Sequence, residues 1–421
     1  MSDKSLIEWT DATWNPLRGC SRVSEGCRHC YAEGVAARFS GPGQPYEGLA
    51  GFVVVKTVAR GKTTDPIPKP EPRWTGKVVR APHDTLTQPL RWKRPRRIFV
   101  NSMSDLFHES VPDEWIDQVF AVMALSPQHV FQVLTKRPER MRDYLASGLV
   151  APNATATQAR VLQAIDDLVP ERTEASIAAK NRVLSVAVSG LQTWPLPNVW
   201  LGVSAEDQKR ADERIPLLLA TPAAVRFVSL EPLLGPIDVI PYLFIYTNAD
   251  DEVLLDHTDR IGPEEPLPFH DPATTDPAEI ATPRLDWVIV GGESGPGARP
   301  MHPDWARSLR DQCVDAGVPF FFKQRGEWAP GIFEDMGDYL SFEPAEPGVR
   351  AKPITPDNIR WFDGATAPDG PGAQLLGKKA AGRLLDGVEH NGLPAVGTGA
   401  PKRLAARPAS GPDGQSVGQD K

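Results

Sequence analysis

Short apolar runs that end in small or charged residues, each leading into a helix-like stretch, recur through most of this chain. "RIFVNSMSD" (97–105) precedes "PDEWIDQVFAVMAL" (112–125), whose leading proline and apolar spacing predict a helix. "HVFQVLTKRP" precedes "ERMRDYLASG" with its closing glycine, and "NVWLGVSAED" precedes "DQKRADERIPLLLA". "AVRFVSLEPLLGPID", "LDWVIVGGESGPG" with the helix "HPDWARSLRDQCVDAG", and "VPFFFKQRGEW" complete the series. Strands alternating with helices imply a parallel sheet, either a barrel or an open doubly wound sheet. The strand ends favour the barrel, because a (β/α) barrel builds its active site from the C-terminal ends of several strands at one mouth. Here those ends carry Ser102, Ser104 and Asp105; Thr135, Lys136 and Arg137; Ser204, Glu206 and Asp207; Glu231; Gly291, Gly292, Glu293 and Ser294; and Lys323 and Gln324. The expected fold is therefore α/β, a partial TIM-like barrel with surface insertions and a C-terminal extension.

The rhythm divides the chain. An N-terminal segment (1–39) carries three cysteines, and a Gly-, Pro- and base-rich insertion follows (40–95). The barrel is expected over 96–332, interrupted by an Ala-rich, partly helical insertion (147–197) and an acidic, proline-rich one (241–284). Residues 333–395 read as a C-terminal extension and 396–421 as a disordered tail. No apolar run is long enough to cross a membrane, and "MSDKSLIEWTDATWN" lacks the features of a signal peptide, so no membrane association and a cytoplasmic location are expected. A net charge of −8 excludes a protein that coats nucleic acid through its overall field. Two local patches remain candidates for gripping a phosphate backbone: "RWKRPRR", with Trp92 among Arg91, Lys93, Arg94, Arg96 and Arg97, and "TKRPERMR" from Thr135 to Arg142. A solvated loop leading into a strand is the plainer explanation for either.

Three of the four cysteines lie within eleven positions, in "RGCSRVSEGCRHCYAE" (18–33). In a reducing compartment such spacing signals metal binding or redox chemistry before a disulfide. Cys27-Arg-His-Cys30 lets one tight turn aim two sulfurs at one centre, and Cys20 supplies a third. Cys313 sits inside a helical pattern and reads as a buried structural thiol. A structural zinc site is four-coordinate and closed, whereas three ligands leave a position where something else can bind.

Three cysteines in a loop after the first strand of a βα series resemble the radical S-adenosylmethionine enzymes, although the spacing here is six residues and then two, where that superfamily commonly has three and then two. More narrowly, "IEWTDATWNPLRGCSRVSEGCRHCYAE", "FVNSMSDLFHESVP", "FQVLTKRPERM", "WLGVSAEDQKRADERIPLLL", "RFVSLEPLLGPID", "DWVIVGGESGPGARPMHPDWARSLRDQC" and "GKKAAGRLLDGVEHNGLP" together resemble the three-Cys-motif phage protein family. The resemblance covers residues 5–332 outside the insertions and about 375–395. It implies a barrel of the radical S-adenosylmethionine type in which Cys20, Cys27 and Cys30 hold a 4Fe-4S cluster. The open iron of such a cluster chelates S-adenosylmethionine, and electron transfer cleaves it to methionine and a 5′-deoxyadenosyl radical that abstracts hydrogen. By the same resemblance Ser102, Ser104 and Asp105 face the cofactor's amino group, and Ser204 and Glu206, with Asp207, its ribose; Tyr31, like His29, adjoins it, and Gly291 and Gly292 suit adenine or substrate. Glu231 and Glu293 are the candidate catalytic carboxylates. Helix capping competes as the role of Ser102, Ser104 and Asp105, and again of Ser204, Glu206 and Asp207. Lys136, Arg137, Arg299, Lys323 and Arg325 suit a phosphate-bearing substrate or pair with Glu231, Glu293 and Glu327; His108 and His302 are candidate proton carriers or solvated loop residues.

The leading expectation is a radical S-adenosylmethionine enzyme acting on a nucleic acid or nucleotide, with a flavodoxin or ferredoxin type reductant and a partner protein encoded nearby. Two alternatives stand beside it. One is a non-catalytic nucleic-acid-binding protein with zinc held by Cys20, Cys27, Cys30 and His29 or His108. The other is an adaptor that acts through its partner and keeps a vestigial cluster.

Overall fold

A computed structural model describes residues 5, 7–57, 67–147, 149–151, 154–171, 173–184, 195–243, 246–247, 253–254, 284–336, 340–355, 357–362 and 370–395. Seven parallel strands form one curled sheet: β1 (Ala12–Trp14), β2 (Arg97–Val100), β3 (Val130–Thr135), β4 (Val199–Ser204), β5 (Val225–Leu230), β6 (Trp287–Gly291) and β7 (Phe320–Gln324). They pair in chain order, and among the described residues no ladder joins β7 back to β1. The protein is thus a mixed α/β half-barrel, as the alternation predicts. Helices α1 (Tyr31–Arg38), α2 (Asp113–Leu125), α3 (Pro138–Leu145), α4 (Gln208–Leu219) and α5 (Pro303–Asp315) connect the strands.

Period-two alternation sorts the side chains of each strand. Ile98 and Val100, Phe131 and Val133, Leu201 and Val203, Val228 and Leu230, Val288 and Val290, and Phe320 and Phe322 turn outward into the main core, shared with the helices. Phe99, Trp200, Phe227, Trp287, Ile289 and Phe321 turn inward and close around Trp9, which reaches them from ahead of β1. The Trp9 ring lies 4.8 Å from Phe99, 6.4 Å from Phe227 and 6.2 Å from Trp287, and the whole group is nearly dry. This aromatic plug fills the half-barrel and leaves the strand ends above it as a mouth. Gly202 makes the fit possible, since a Cβ there would stand 2.5 Å from the Phe227 ring.

An unpaired sheet edge invites another strand. At β7 the C-terminal segment covers it: Phe322 N–H donates to His390 O at 3.0 Å, Gly392 N–H to Phe320 O at 2.9 Å, and Trp287 Nε1–H to Gly392 O at 2.7 Å.

The insertions have structure of their own. Within 40–95, Ala50–Thr57 and Ile67–Trp74 form an antiparallel hairpin whose base packs on α1. Within 147–197, helices Ala156–Leu168 and Glu174–Leu184 pack against α2, the first opened by a Thr155–Gln158 capping box. Most of 241–284 and all of 396–421 lie outside the described residues. Beyond the barrel, β8 (Trp328–Asp335), β9 (Leu340–Pro344), β10 (Ile359–Trp361) and β11 (Gly370–Leu375) form an antiparallel sheet in the order β9-β8-β11-β10. The expected boundary at 332/333 therefore cuts through a strand: β8 is paired on both sides, and the extension begins at Trp328. Among the described residues no helix is long and apolar enough to cross a membrane.

Candidate functional site: a three-cysteine loop over the barrel mouth

The loop between β1 and α1 is bent by Gly19 at φ +97, where a Cβ would also strike Lys77 O at 2.1 Å. A single turn from Ser24 carries Cys27, and Cys30 stands at the N-terminus of α1. All three thiols are half-buried, none is in a disulfide, and all three line a cleft of about 280 Å³ at the strand ends. Cys313 lies fully buried on α5, as expected of a structural thiol.

Three charged side chains from three strand ends fasten this loop to the barrel. Following β3, Arg137 donates to Ser21 Oγ at 2.7 Å and to Ser21 O at 3.4 Å. Its guanidinium is itself held by Asp105 at 2.9 Å and Glu109 at 2.7 Å. Following β4, Glu206 is fully buried and accepts Gly26 N–H at 3.1 Å and Arg214 Nη1–H at 3.2 Å. Burial pushes the Glu206 carboxyl up, but Lys136, Ser24, Gly26 N–H and Arg214 outweigh it and leave its pKa below the ordinary carboxylate value. Following β6, Arg299 grips Glu293 with contacts of 2.6 and 2.9 Å and reaches Glu25 O at 3.0 Å and its carboxylate at 3.2 Å.

Burial, with Asp105 adding to it and Arg137 opposing, pushes the Cys20 thiol up to about 12, and burial raises Cys30 as well. A metal centre must therefore displace protons from these sulfurs to bind. Among the described residues no three or more His, Cys, Asp and Glu side chains form a ready site for a metal ion. The donor set nonetheless suits an iron–sulfur cluster: three soft thiols share one cleft, and the fourth cysteine is buried elsewhere.

The structure gathers most of the predicted residues at this mouth and places the others behind it. Tyr31, Ser102, Ser104, Asp105, Ser204, Glu231, Gly292 and Glu293 all line the cleft. Tyr31 OH donates to Ser102 O at 2.9 Å. Ser102 Oγ donates to Asn15 and Ser104 Oγ to Leu17 O, so both stitch β2 to the chain leaving β1 and neither caps α2. Asp105 accepts from Thr135 Oγ1, Lys136 N, Arg137 Nη1 and Phe107 N, which occupies its carboxylate within the protein. Glu206 is outside the lining and acts on the loop from behind. Gly291 is outside it too and leaves space for Glu231, whose Oε1 would be 2.3 Å from a Cβ at 291. At Gly292 a Cβ would meet Arg325 O at 2.1 Å. Asp207 caps α4 by accepting Arg210 N–H at 2.9 Å, and His302 caps α5. Ser204 Oγ accepts from Lys136 Nζ and donates to Glu231 O at 3.2 Å. Glu231 reaches across Gly291 to Lys323 Nζ at 3.2 Å and accepts Ser229 Oγ–H at 3.1 Å.

The cations divide. Lys136, Arg137 and Lys323 line the mouth, while Arg299 latches the cysteine loop from outside the lining. Arg325 is buried in an ion pair with Glu346, away from the cleft. The "RWKRPRR" run lies at the opposite end of β2: Trp92 is buried, Arg96 lies over its ring and Arg97 pairs with Asp11. That tryptophan has no free face for a base. Of the candidate proton carriers, His108 has both ring nitrogens engaged, with Ser21 Oγ at 2.9 Å and Ser110 Oγ at 2.8 Å. His29 lines the cleft between the cysteines; burial lowers its pKa against the pull of Glu293.

No curated protein and no solved structure matches the chain. A family model does, over residues 4–394, and by that match the chain belongs to the family described as "Protein of unknown function (DUF5131)".

Proposed function

We propose that this protein is a radical S-adenosylmethionine enzyme, its half-barrel of the type those enzymes use, with Cys20, Cys27 and Cys30 as the protein ligands of a 4Fe-4S cluster. The observation that carries this is a set of three thiols, with no fourth at hand, opening on a mouth lined by six strand ends. When bound, such a cluster supplies the electron that cleaves S-adenosylmethionine and so starts hydrogen abstraction from a substrate C–H bond.

The chain's own part is positioning. Arg137, Glu206 and Arg299 hold the ligand loop in register with the strand ends. Ser102, Ser204 and Tyr31 give the mouth short polar contacts for the cofactor, while the aromatic plug keeps water from entering beneath. Among the described residues Glu231 is the one carboxylate of the mouth with an oxygen that accepts no hydrogen bond, and it is the group offered to a substrate. Lys136 and Lys323 give that region a positive side, suited to a nucleotide or nucleic acid. A flavodoxin or ferredoxin type protein would supply electrons, and a partner encoded nearby belongs to the same proposal. Of the two histidines that could complete a structural zinc site, His108 has both nitrogens engaged, which leaves His29 of the cleft lining for that reading.

The test is anaerobic reconstitution with iron and sulfide, reduction, and an assay for 5′-deoxyadenosine. Formation of that product, lost in C20A, C27A and C30A alike, supports the assignment. A protein that retains zinc, takes up no cluster and cleaves nothing overturns it.

A further inference from the structure

The Glu231–Lys323 pair occupies an unusual place for an ion pair. Both residues line the mouth, one from the end of β5 and one from β7, and Gly291 on the strand between them contributes no side chain. The Glu231 carboxylate therefore lies across β6 with Oε1 only 3.2 Å from Lys323 Nζ. Ser229 satisfies Oε2, whereas Oε1 is buried and accepts no hydrogen bond. The other two carboxylates of the cleft are taken, Asp105 by four donors and Glu293 by Arg299. The mouth thus presents one acceptor beside one donor, with the Glu231 carboxylate seated over Gly291.

A ligand complementary to that wall carries a donor beside an acceptor on one rigid edge. In a planar ring amide the N–H nitrogen and carbonyl oxygen are about 2.3 Å apart, from C–N and C=O bond lengths. Two near-parallel hydrogen bonds from such an edge end on partners spaced as Oε1 and Nζ are here. The Watson–Crick edge of a nucleobase has this pattern, and the exposed ring of Tyr31 also lines the cleft, where a base can stack. We infer that Glu231 and Lys323 read the Watson–Crick edge of a single unpaired nucleobase, Glu231 accepting its N–H and Lys323 donating to its ring nitrogen or carbonyl. The edge is hidden in a duplex, so the substrate enters as a single strand or with the base turned out of the stack. This rests on the proposed nucleic-acid substrate but requires no cluster.

The test is equilibrium binding of short single-stranded DNA, and of the duplex of the same sequence, to the full chain without added iron. Wild type is expected to bind the single strand about 10-fold tighter than the duplex, as two well-placed edge contacts allow. Lys323→Met removes a positive charge and Glu231→Ala a negative one, yet both should lose the preference. A charge effect alone would move the two affinities in opposite directions. Equal binding of single strand and duplex by wild type, or a preference that survives in both variants, overturns the inference. If either variant unfolds, Lys323→Leu and Glu231→Leu, which likewise neither donate nor accept, replace it, and a thymidine oligomer methylated at N3 that binds as well as its parent is also fatal. Failure to form 5′-deoxyadenosine would remove the radical assignment and leave this binding result standing.

Discussion

Glu206 is the strand-end carboxylate whose structural position departs most from its sequence-based role, and truncating it separates the two. If it met a ribose, Glu206→Ala would weaken ligand binding and leave the fold intact. In the structure it is fully buried and accepts from Gly26 N–H at 3.1 Å and from Arg214 at 3.2 Å, with the Arg214 side chain only 6% exposed. Removing one partner of a buried pair costs about 3–5 kcal/mol, because the other charge stays behind without compensation. Arg214 keeps its bond to Ser204 O at 2.6 Å, which places the expected loss near the lower end, about 3 kcal/mol. Glu206→Gln retains an acceptor and should cost about 1–2 kcal/mol, the difference between charged and neutral hydrogen bonds. The assay is urea unfolding of Glu206→Ala, Arg214→Met and the double variant. Arg214→Met removes the stranded charge, so the double variant should recover at least about 1 kcal/mol relative to additivity. A Glu206→Ala cost below about 1 kcal/mol, or strict additivity with Arg214→Met, would refute the tether.

Gly202→Ala places a Cβ 2.5 Å from the fully buried Phe227 ring and should destabilise by about 1–3 kcal/mol. In a Phe227→Leu background much of that cost should vanish, as read by the same unfolding curves. His108 accepts Ser110 N–H at its Nδ1, and burial together with Arg137 holds its pKa below the ordinary histidine value. The fold favours the neutral ring, so His108 contributes stability that is present above about pH 6.5 and is lost as pH falls through its lower folded value. His108→Gln should flatten that limb of the stability–pH curve, and an unchanged slope would count against the assignment. Because the Cys20 and Cys30 thiols are pushed up, cluster loading should release protons and quicken with rising pH, measurable as base uptake in unbuffered solution. Cys313→Ala should leave the iron content unchanged, since that thiol is buried on α5.

The sheet was legible because each barrel strand from β2 onward is a run of β-branched and aromatic residues with a polar end, and that pattern depends only on local order. The three cysteines were legible for the same reason. What sequence reasoning could not supply was side-chain direction. Glu206 and Asp207 are neighbours, yet one tethers a loop 180 residues away and the other caps its own helix, a distinction set by packing. Trp9 gave no signal, since one tryptophan ahead of a three-residue strand does not announce that it will plug the barrel. The antiparallel sheet of β8–β11 was missed because its strands are short or carry several glycines and prolines, as in "GPGAQL".

The loop that carries the thiols borrows its shape from residues 116, 180 and 274 positions further along the chain. During synthesis Cys20, Cys27 and Cys30 leave the ribosome first, and Arg299 follows only after most of the barrel has been made. Until then nothing holds the three sulfurs in one arrangement, and they are open to oxidation or to whichever soft metal arrives. A finished barrel is thus the precondition for a selective site. On the proposed reading cluster assembly follows completion of the barrel, and a protein truncated before Arg299 would carry the three thiols without one of the contacts that hold their loop.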